Sequence, residues 1–333
     1  MLRIRPVTKV AFVVAAVTLM ISIPTALCVV RPVQSASAAV PDTKAAPAAD
    51  ASGPRSLTLP VRAAFYYPWY PETWHDHGGP TIKFHPSLGH YSSTDPRPQE
   101  SHIRSLDYAG MDAAISEWAP PPHYRDERLK QLMARTTAIG SPLKWAVYYT
   151  PDDKSDPSPA QLADHLRYIR DNLAAHPAYL RVDGRFVVFV WTNARNDATC
   201  ALTNRWRQAN SLIGNQAYVV QKVFRGYASC PAQPQAWHQY GPRSPTHSVA
   251  GQSFTVSPGH ARFNEAAPRL ARNPARFRAN VQSMIASKAP WQLVTTFNEW
   301  SAGSSVESAT EWRSRSGQGI YLDILHAALR PSR

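Results

Sequence analysis

The sequence predicts an α/β protein with a single folded domain, a (β/α)8 TIM barrel, and three observations carry that prediction. Eight apolar segments suited to strands recur along the chain, with amphipathic helical patterns between several of them. The part able to fold is about 275 of the 333 residues, the size of one such barrel. No strand candidate runs into a glycine-rich phosphate loop, which makes a doubly wound open sheet the lesser alternative.

The chain opens on a segment that reads as an export signal, residues 1–38. Arg3, Arg5 and Lys9 form a positive n-region, Val10 to Val30 is almost wholly apolar, and "SASAAV" offers a small-residue cleavage site near Ala36–Ala38. An uncleaved N-terminal anchor is the alternative, because the apolar run is about long enough to cross a bilayer. Pro24 and the small-residue tail favour cleavage and a secreted product. Leu27 before Cys28 fits a lipoprotein signal poorly, so no lipid anchor is expected. Residues 39–57, "AVPDTKAAPAADASGPRSL", hold hardly any large apolar group. Too little surface can be buried there to offset the entropy of ordering, so a flexible linker is expected, with the barrel at 58–333.

The strand candidates follow in order. "VRAAFYY" (61–67) is the first, "MDAAIS" (111–116) the second, "KWAVYY" (144–149) the third and "RFVVFVW" (185–191) the fourth. "QAYVVQKV" (216–223), a weak "AWHQY" (236–240), "SVAGQSFTV" (248–256) and "WQLVTTFN" (291–298) complete the set. Several are nearly unbroken apolar runs, as parallel strands covered on both faces require. Helices are expected between them. Ser158 and Pro159 form a cap and first turn ahead of the stripe Leu162, Leu166, Ile169, Leu173. Asn273 and Pro274 do the same ahead of Phe277, Val281, Met284 and Ile285, while Leu129, Leu132 and Met133 mark a helix after the second strand. Leu202, Trp206 and Leu212 mark one after the fourth.

Formal net charge is +13, and removal of the export segment leaves about +9. The basic residues are scattered, with no block of five, and the tryptophans fall near strand ends, so a solvated basic surface is read rather than a nucleic-acid site. Of three cysteines, Cys28 lies in the export segment. Cys200 and Cys230 remain, an even pair in an oxidising compartment, and a disulfide is predicted. "WHDH" (74–77), His85 and His90 match no zinc spacing, so they are read as loop histidines; no metal and no cofactor are expected.

In such a barrel the site sits at the C-terminal ends of the strands. Those ends read "YYPWYPETWHDH", "SEWAPPPHY", "YYTPDD", "VWTNARND", "WHQYGP" and "FNEWSAG". Aromatic rings among a few carboxylates and amides suit a sugar, since rings stack on pyranose faces while polar groups bond the hydroxyls. Tyr67, Trp69, Tyr70, His90, Trp118, Tyr149, Trp191, His238, Tyr240, Asn298 and Trp300 are therefore expected to bind substrate. An oligosaccharide or polysaccharide is the expected partner, and a monomer the expected state.

Three segments, "FYYPWYPETW", "GHYSSTDPRPQESHIRSLDYAGMDAAISEW" and "TTFNEWSAGSSVESA", resemble glycoside hydrolase family 99 and the related family 71-like group, which act on α-linked glycans. The likeness runs from about Val61 to the C-terminus and is strongest at its two ends. It resembles most the uncharacterised secreted actinobacterial members, in which a cysteine pair like Cys200 and Cys230 also occurs. The resemblance implies two glutamates three residues apart on the last strand. The first removes the proton of the sugar 2-hydroxyl, so that a 1,2-anhydro sugar forms, and the second serves the leaving oxygen as general acid and base. Glu299, between Asn298 and Trp300, matches the first, and Glu307 matches a further glutamate of the motif. Ala302 stands where the second belongs. A methyl group cannot protonate a leaving alkoxide, a step that contributes about 10²–10⁴-fold to rate. Tyr149–Thr150 also stands where relatives often carry a glutamate. Three accounts stay open: another acid (Glu117, Asp152, Asp153 or Glu307) has taken over, the leaving group needs little protonation, or the barrel binds glycan without cleaving it. Glu299, Glu117 and Glu307 are the catalytic candidates, and the first alternative to a hydrolase is a catalytically inactive glycan-binding barrel.

Overall fold

The strand segments pair as a parallel sheet that curls almost into a closed barrel. The structure is a computed structural model, and it describes residues 55–76, 79–151, 157–193 and 199–330. The expected export signal and most of the linker lie outside those residues. Leu57, the last residue of the expected linker, donates its N–H to Arg181 O at 2.8 Å.

The strands are β1 (Val61–Tyr66), β2 (His75–Asp76), β3 (Gly79–Pro80), β4 (Ala113–Trp118), β5 (Lys144–Tyr149), β6 (Arg181–Val182), β7 (Arg185–Val190), β8 (Ala217–Lys222), β9 (Ala236–His238), β10 (Thr246–Val249), β11 (Ser253–Val256) and β12 (Trp291–Val294). Helices are α1 (Pro96–Tyr108), α2 (Tyr124–Ala138), α3 (Pro159–Tyr168, continued by a π turn over Ile169–Leu173), α4 (Ala201–Ser211), α5 (Pro274–Ala286) and α6 (Ile320–Leu329). Neighbours in the sheet run β11-β12-β1-β4-β5-β7-β8-β9, all parallel, with β10 antiparallel beside β11 and β6 antiparallel beside β7. Thr255 Oγ1 donates to Gln239 O at 2.8 Å, which links the β11 strand to the chain just past β9 and brings the two ends of the sheet together.

Two expectations change on folding. The seventh segment is a hairpin rather than one strand, because Gly251 at φ +66° turns the chain back between β10 and β11. The eight-helix pattern is also incomplete: among the described residues, only a 3-10 turn at Tyr227–Ser229 separates β8 from β9. Helix α1 has no counterpart in the sequence pattern because its buried face is part polar, with Gln99, His102 and Ser105 beside Ile103 and Leu106.

Alternation along the strands divides the apolar residues between two cores. Val61, Ala63, Phe65 and Tyr67 of the β1 segment meet Ala113 and Ile115 of β4, Ala146 and Tyr148 of β5, Val187 and Phe189 of β7 and Trp291 and Leu293 of β12 inside the barrel. The intervening residues, such as Tyr66, Trp118, Trp145 and Tyr149, pack outward against helix residues including Leu129, Leu162, Trp206 and Val281. Burial of both sets follows from a sheet covered on its two faces.

Cys200 and Cys230 are joined, with Cα atoms 5.6 Å apart and a separation of 30 in sequence. The bond ties the start of α4 to the loop after β8, both at the C-terminal ends of barrel strands. Cys200→Ser combined with Cys230→Ser is expected to lower unfolding free energy by about 3 kcal/mol, since a thirty-residue loop is no longer closed in the unfolded chain. Urea titration of the double variant and of the reduced parent checks this, and both should shift alike.

Among the described residues, no helix is long and apolar enough to cross a membrane, and no group of three or more His, Cys, Asp or Glu side chains is placed to hold a metal ion.

Candidate active site

A cavity of about 350 Å³ opens at the C-terminal ends of the barrel strands. Its wall is made by Tyr67, Trp69, Glu117, Ala119, His123, Arg125, Tyr148, Thr150, Pro151, Trp191, Tyr240 and Glu299. Five of these are aromatic. Trp69 stacks on Tyr67 with ring centres 4.3 Å apart, and Trp191 meets Tyr240 edge to face at 5.4 Å. Tyr67, Tyr148 and Tyr240 project inward because they fall on the interior phase of their strands, which continues past the last paired residue. Flat apolar faces flanked by carboxylates match the two-sided chemistry of a sugar ring.

Glu299 sits in the irregular turn after β12 and is held from several directions. Tyr240 Oη donates to its Oε2 at 2.6 Å and Ser304 Oγ at 3.3 Å, while its backbone N–H donates to Thr296 Oγ1 at 3.0 Å. Tyr240 and Tyr67 share a further hydroxyl contact of 2.6 Å. Burial raises the Glu299 carboxyl above its ordinary value of 4.5, against the opposing pull of Tyr240, Ser304 and the more distant Arg262. Both side-chain donors go to Oε2. Among the described residues Oε1 accepts no bond.

Glu117, at the end of β4, is the second carboxylate on the wall and is 6% exposed. Arg125 Nη1 donates to its Oε1 at 2.9 Å and Thr150 Oγ1 approaches the same atom at 3.4 Å. Arg125 comes from the first turn of α2, whose N-terminus is capped by His123 accepting from the Arg125 N–H at 3.3 Å. Asp152 and Asp153, the other acids considered for this end of β5, lie outside the described residues.

Of the residues expected to bind substrate, Tyr67, Trp69, Trp191 and Tyr240 line the cavity with Glu299 and Glu117. The others do not reach it. Trp118 and Tyr149 have the outward phase: the indole donates to Asp126 Oδ1 at 2.8 Å, and the phenol contacts His165 Nδ1 at 2.8 Å. The residue one step earlier, Tyr148, takes the inward position that Tyr149 was expected to fill. Tyr70 is buried, stacked on Trp74 at 3.9 Å and bonded to Asn298 O at 2.7 Å. His90 is exposed and stacks on Trp74 at 4.9 Å, away from the cavity wall. His238 is fully buried inside the barrel and donates from Nε2 to Val190 O at 3.2 Å; burial pushes it down to about 3, so it is a neutral core histidine. Asn298 clamps the backbone of Tyr67, accepting from its N–H at 2.8 Å and donating to its carbonyl at 3.0 Å. Trp300 and Glu307 are bonded to each other at 3.0 Å behind the turn and are absent from the cavity wall. Ala302 is likewise 4% exposed and off the wall.

Tyr148, His123, Arg125, Thr150, Ala119 and Pro151 are wall residues the sequence reading left out. Tyr148 was legible from strand phase, since Glu117 and Tyr148 are partners across β4 and β5 and share one face. Arg125 carried no such signal, because it reaches the cavity from a helix.

No family model matches the chain. The glycoprotein endo-α-1,2-mannosidase of Mus musculus is 22% identical, over 78% of this chain and 70% of its own length, and the Rattus norvegicus protein is 20% identical over the same shares. A family 99 endo-α-mannosidase from Bacteroides thetaiotaomicron superposes with a TM-score of 0.63 at 18% identity, covering 83% of this chain and all of that one. A solved glycoside hydrolase-like protein gives 0.60 at 15%, covering 86% and 98%. At these identities the structural likeness is one of fold. In sequence, weakly, and in barrel architecture, strongly, the chain resembles the family 99 endo-α-mannosidases.

Proposed function

We propose that the protein is an exported glycoside hydrolase acting on an α-linked glycan, an α-mannan or α-glucan, with Glu299 as its principal carboxylate. The observation that carries this reading is the position of Glu299 on the wall of a cavity otherwise dominated by aromatic rings. By its likeness to family 99, Glu299 takes the proton of the sugar 2-hydroxyl, and Oε1 is the oxygen that does so. Burial supports that role, because a carboxylate with a raised affinity for protons is a better base at a given pH. Glu117 is the proposed second carboxylate. The disulfide fits an oxidising compartment, and with the basic n-region and its apolar run it supports export.

The reading is tested by incubating the full chain with α-mannans and α-glucans and measuring new reducing ends. Release by the parent and none by Glu299→Gln supports it. A second reading, a barrel that binds glycan without cleaving it, is favoured by two features: Ala302 in place of an acid, and the Arg125 bond to Glu117. That reading expects saturable binding with no new reducing ends for any substrate.

The hydrolase reading also fixes a pH dependence. A base must be ionised, so kcat/KM should fall as pH drops through the raised Glu299 value, placing the acidic limb above 4.5. Tyr240 lowers that value by donating to Oε2, so Tyr240→Phe should move the limb to higher pH. The protonated carboxyl is favoured in the folded state, so stability should decline as pH rises from 4.5 through the folded value. Activity profiles of parent and variant check the first two effects, and denaturation across the same range checks the third.

A further inference from the structure

Glu307 is 3% exposed, lies off the cavity wall, and yet is bonded to both residues that flank Glu299 or to their immediate supports. Tyr91 Oη and Trp300 Nε1 donate to its Oε2 at 2.9 and 3.0 Å, and His102 Nε2 meets Oε1 at 3.1 Å. Its own N–H donates to Phe297 O at 2.9 Å, and Trp312 Nε1 donates to its carbonyl at 2.9 Å. A buried carboxylate is costly unless its lone pairs are filled, and here three side-chain donors fill them. The His102 tautomer consistent with these bonds carries its proton on Nε2 and accepts at Nδ1 from Tyr66 Oη, 2.9 Å away.

The network continues to the cavity. Tyr91 Oη accepts from Asn298 Nδ2 at 3.4 Å, and Asn298 holds the Tyr67 backbone. The Tyr67 and Tyr240 hydroxyls then lead to Glu299 Oε2. On the other side, Trp300 follows Glu299 directly. We infer that Glu307 is a positioning residue for Glu299, which with His102 and Tyr91 locks the segment Asn298–Glu299–Trp300 so that the Glu299 carboxyl keeps its place on the cavity wall. This rests on the hydrolase reading. Rigid side-chain networks of this kind restrain geometry, and a displacement of about 1 Å at a reacting group can cost on the order of 10²-fold in rate.

The test uses the full chain with Glu307→Gln and Tyr91→Phe, on whichever α-glycan the parent cleaves. Glu307→Gln turns one of the two acceptor oxygens into a donor and removes the charge, so the set formed by Tyr91, Trp300 and His102 can no longer be matched without a change at His102; Tyr91→Phe keeps the ring and removes only the bridging hydroxyl. Expected results are a fall in kcat of on the order of 10²-fold for Glu307→Gln and about tenfold for Tyr91→Phe, with KM nearly unchanged, in protein whose near-ultraviolet circular dichroism matches the parent. Should Glu307→Gln fail to fold, Tyr91→Phe decides the matter. Folded variants that turn over at the parent rate, or that lose activity only in proportion to their unfolded fraction, overturn the inference and leave the hydrolase reading standing. A parent that cleaves no α-glycan overturns both.

Discussion

Glu299→Gln is expected to reduce glycan cleavage by about 10²–10⁴-fold in kcat, the contribution of a positioned proton acceptor, with KM little changed. The amide has the volume of the carboxylate, and its oxygen can still accept from Tyr240, now 2.6 Å from Oε2. What it lacks is basicity at Oε1. On the hydrolase reading the cavity rings of Tyr67, Trp69, Trp191 and Tyr148 would hold the sugar, and the substitution leaves them untouched, which is why the loss should fall on turnover rather than on binding. Folding should be preserved or slightly improved above pH 4.5, since a buried carboxyl with raised proton affinity is replaced by a neutral group. Initial rates on α-mannan or α-glucan, with denaturation curves alongside, check both halves. Equal cleavage by parent and variant would remove Glu299 from the mechanism.

Gly303→Ala should be the most damaging small change in the turn that carries Glu299. Gly303 has φ +60°, and a Cβ built there lies 2.3 Å from Ala261 O and 3.1 Å from the Ala261 carbonyl carbon and nitrogen. Left-handed backbone costs an L-residue about 1–2 kcal/mol, and forcing the two backbone segments apart adds about 1–3 kcal/mol, so a loss near 3 kcal/mol is expected. The obstacle is backbone on both sides, so no side chain can swing away. Neighbouring groups would move with it: Arg272 Nη2 donates to Gly303 O at 3.0 Å and to Ser305 O at 2.8 Å, and Ser304 donates to Glu299. Gly317→Ala is the control, with φ +79° and nothing within 4 Å of the added carbon, and should cost only the backbone portion. Thermal denaturation separates the two. If Gly303→Ala unfolds no more readily than Gly317→Ala, the close approach of residue 261 is not rigid.

Much of the architecture was legible because periodicity is a local property. Six of the eight strand segments are recovered within about two residues, from Val61–Tyr66 to Ala236–His238. Helix α3 shows the capping box that Ser158 and Pro159 announce, with Gln161 as its third residue. Where local signals were mixed, reading failed: α1 hides its face behind buried Gln99, His102 and Ser105, and Gly251 splits the seventh segment into a hairpin. Leu212, read as part of a helix stripe, lies just past α4 and is 55% exposed.

The site was legible in part for the same reason. Residue types at strand ends pointed to a ring-lined mouth, and Tyr67, Trp69, Trp191, Tyr240, Glu117 and Glu299 are on its wall. Choosing between adjacent rings needed more. Trp118 beside Glu117 and Tyr149 beside Tyr148 are chemically as suitable as the wall residues, but they face the helices. Composition alone could place the chemistry at an end of the barrel without saying which neighbour faces inward.

Taken alone, the chain's order of residues determined the alternation of strands and helices, the pairing available to Cys200 and Cys230, and the arrival of Asn298, Glu299 and Trp300 at the end of a strand. Alternation gives each strand two faces, yet it does not state which becomes the interior. That choice is made when distant segments pair, as when Val61 meets Trp291 and Glu117 meets Tyr148. Only closure of the barrel therefore decided that Glu299 reaches the cavity, that Glu307 turns into a buried network behind it, and that Arg125 arrives from a helix to hold Glu117. Side-chain direction in the irregular turn after β12 follows no period at all; contacts with Tyr67, Tyr70, Tyr91 and Tyr240, contributed from far along the chain, set it.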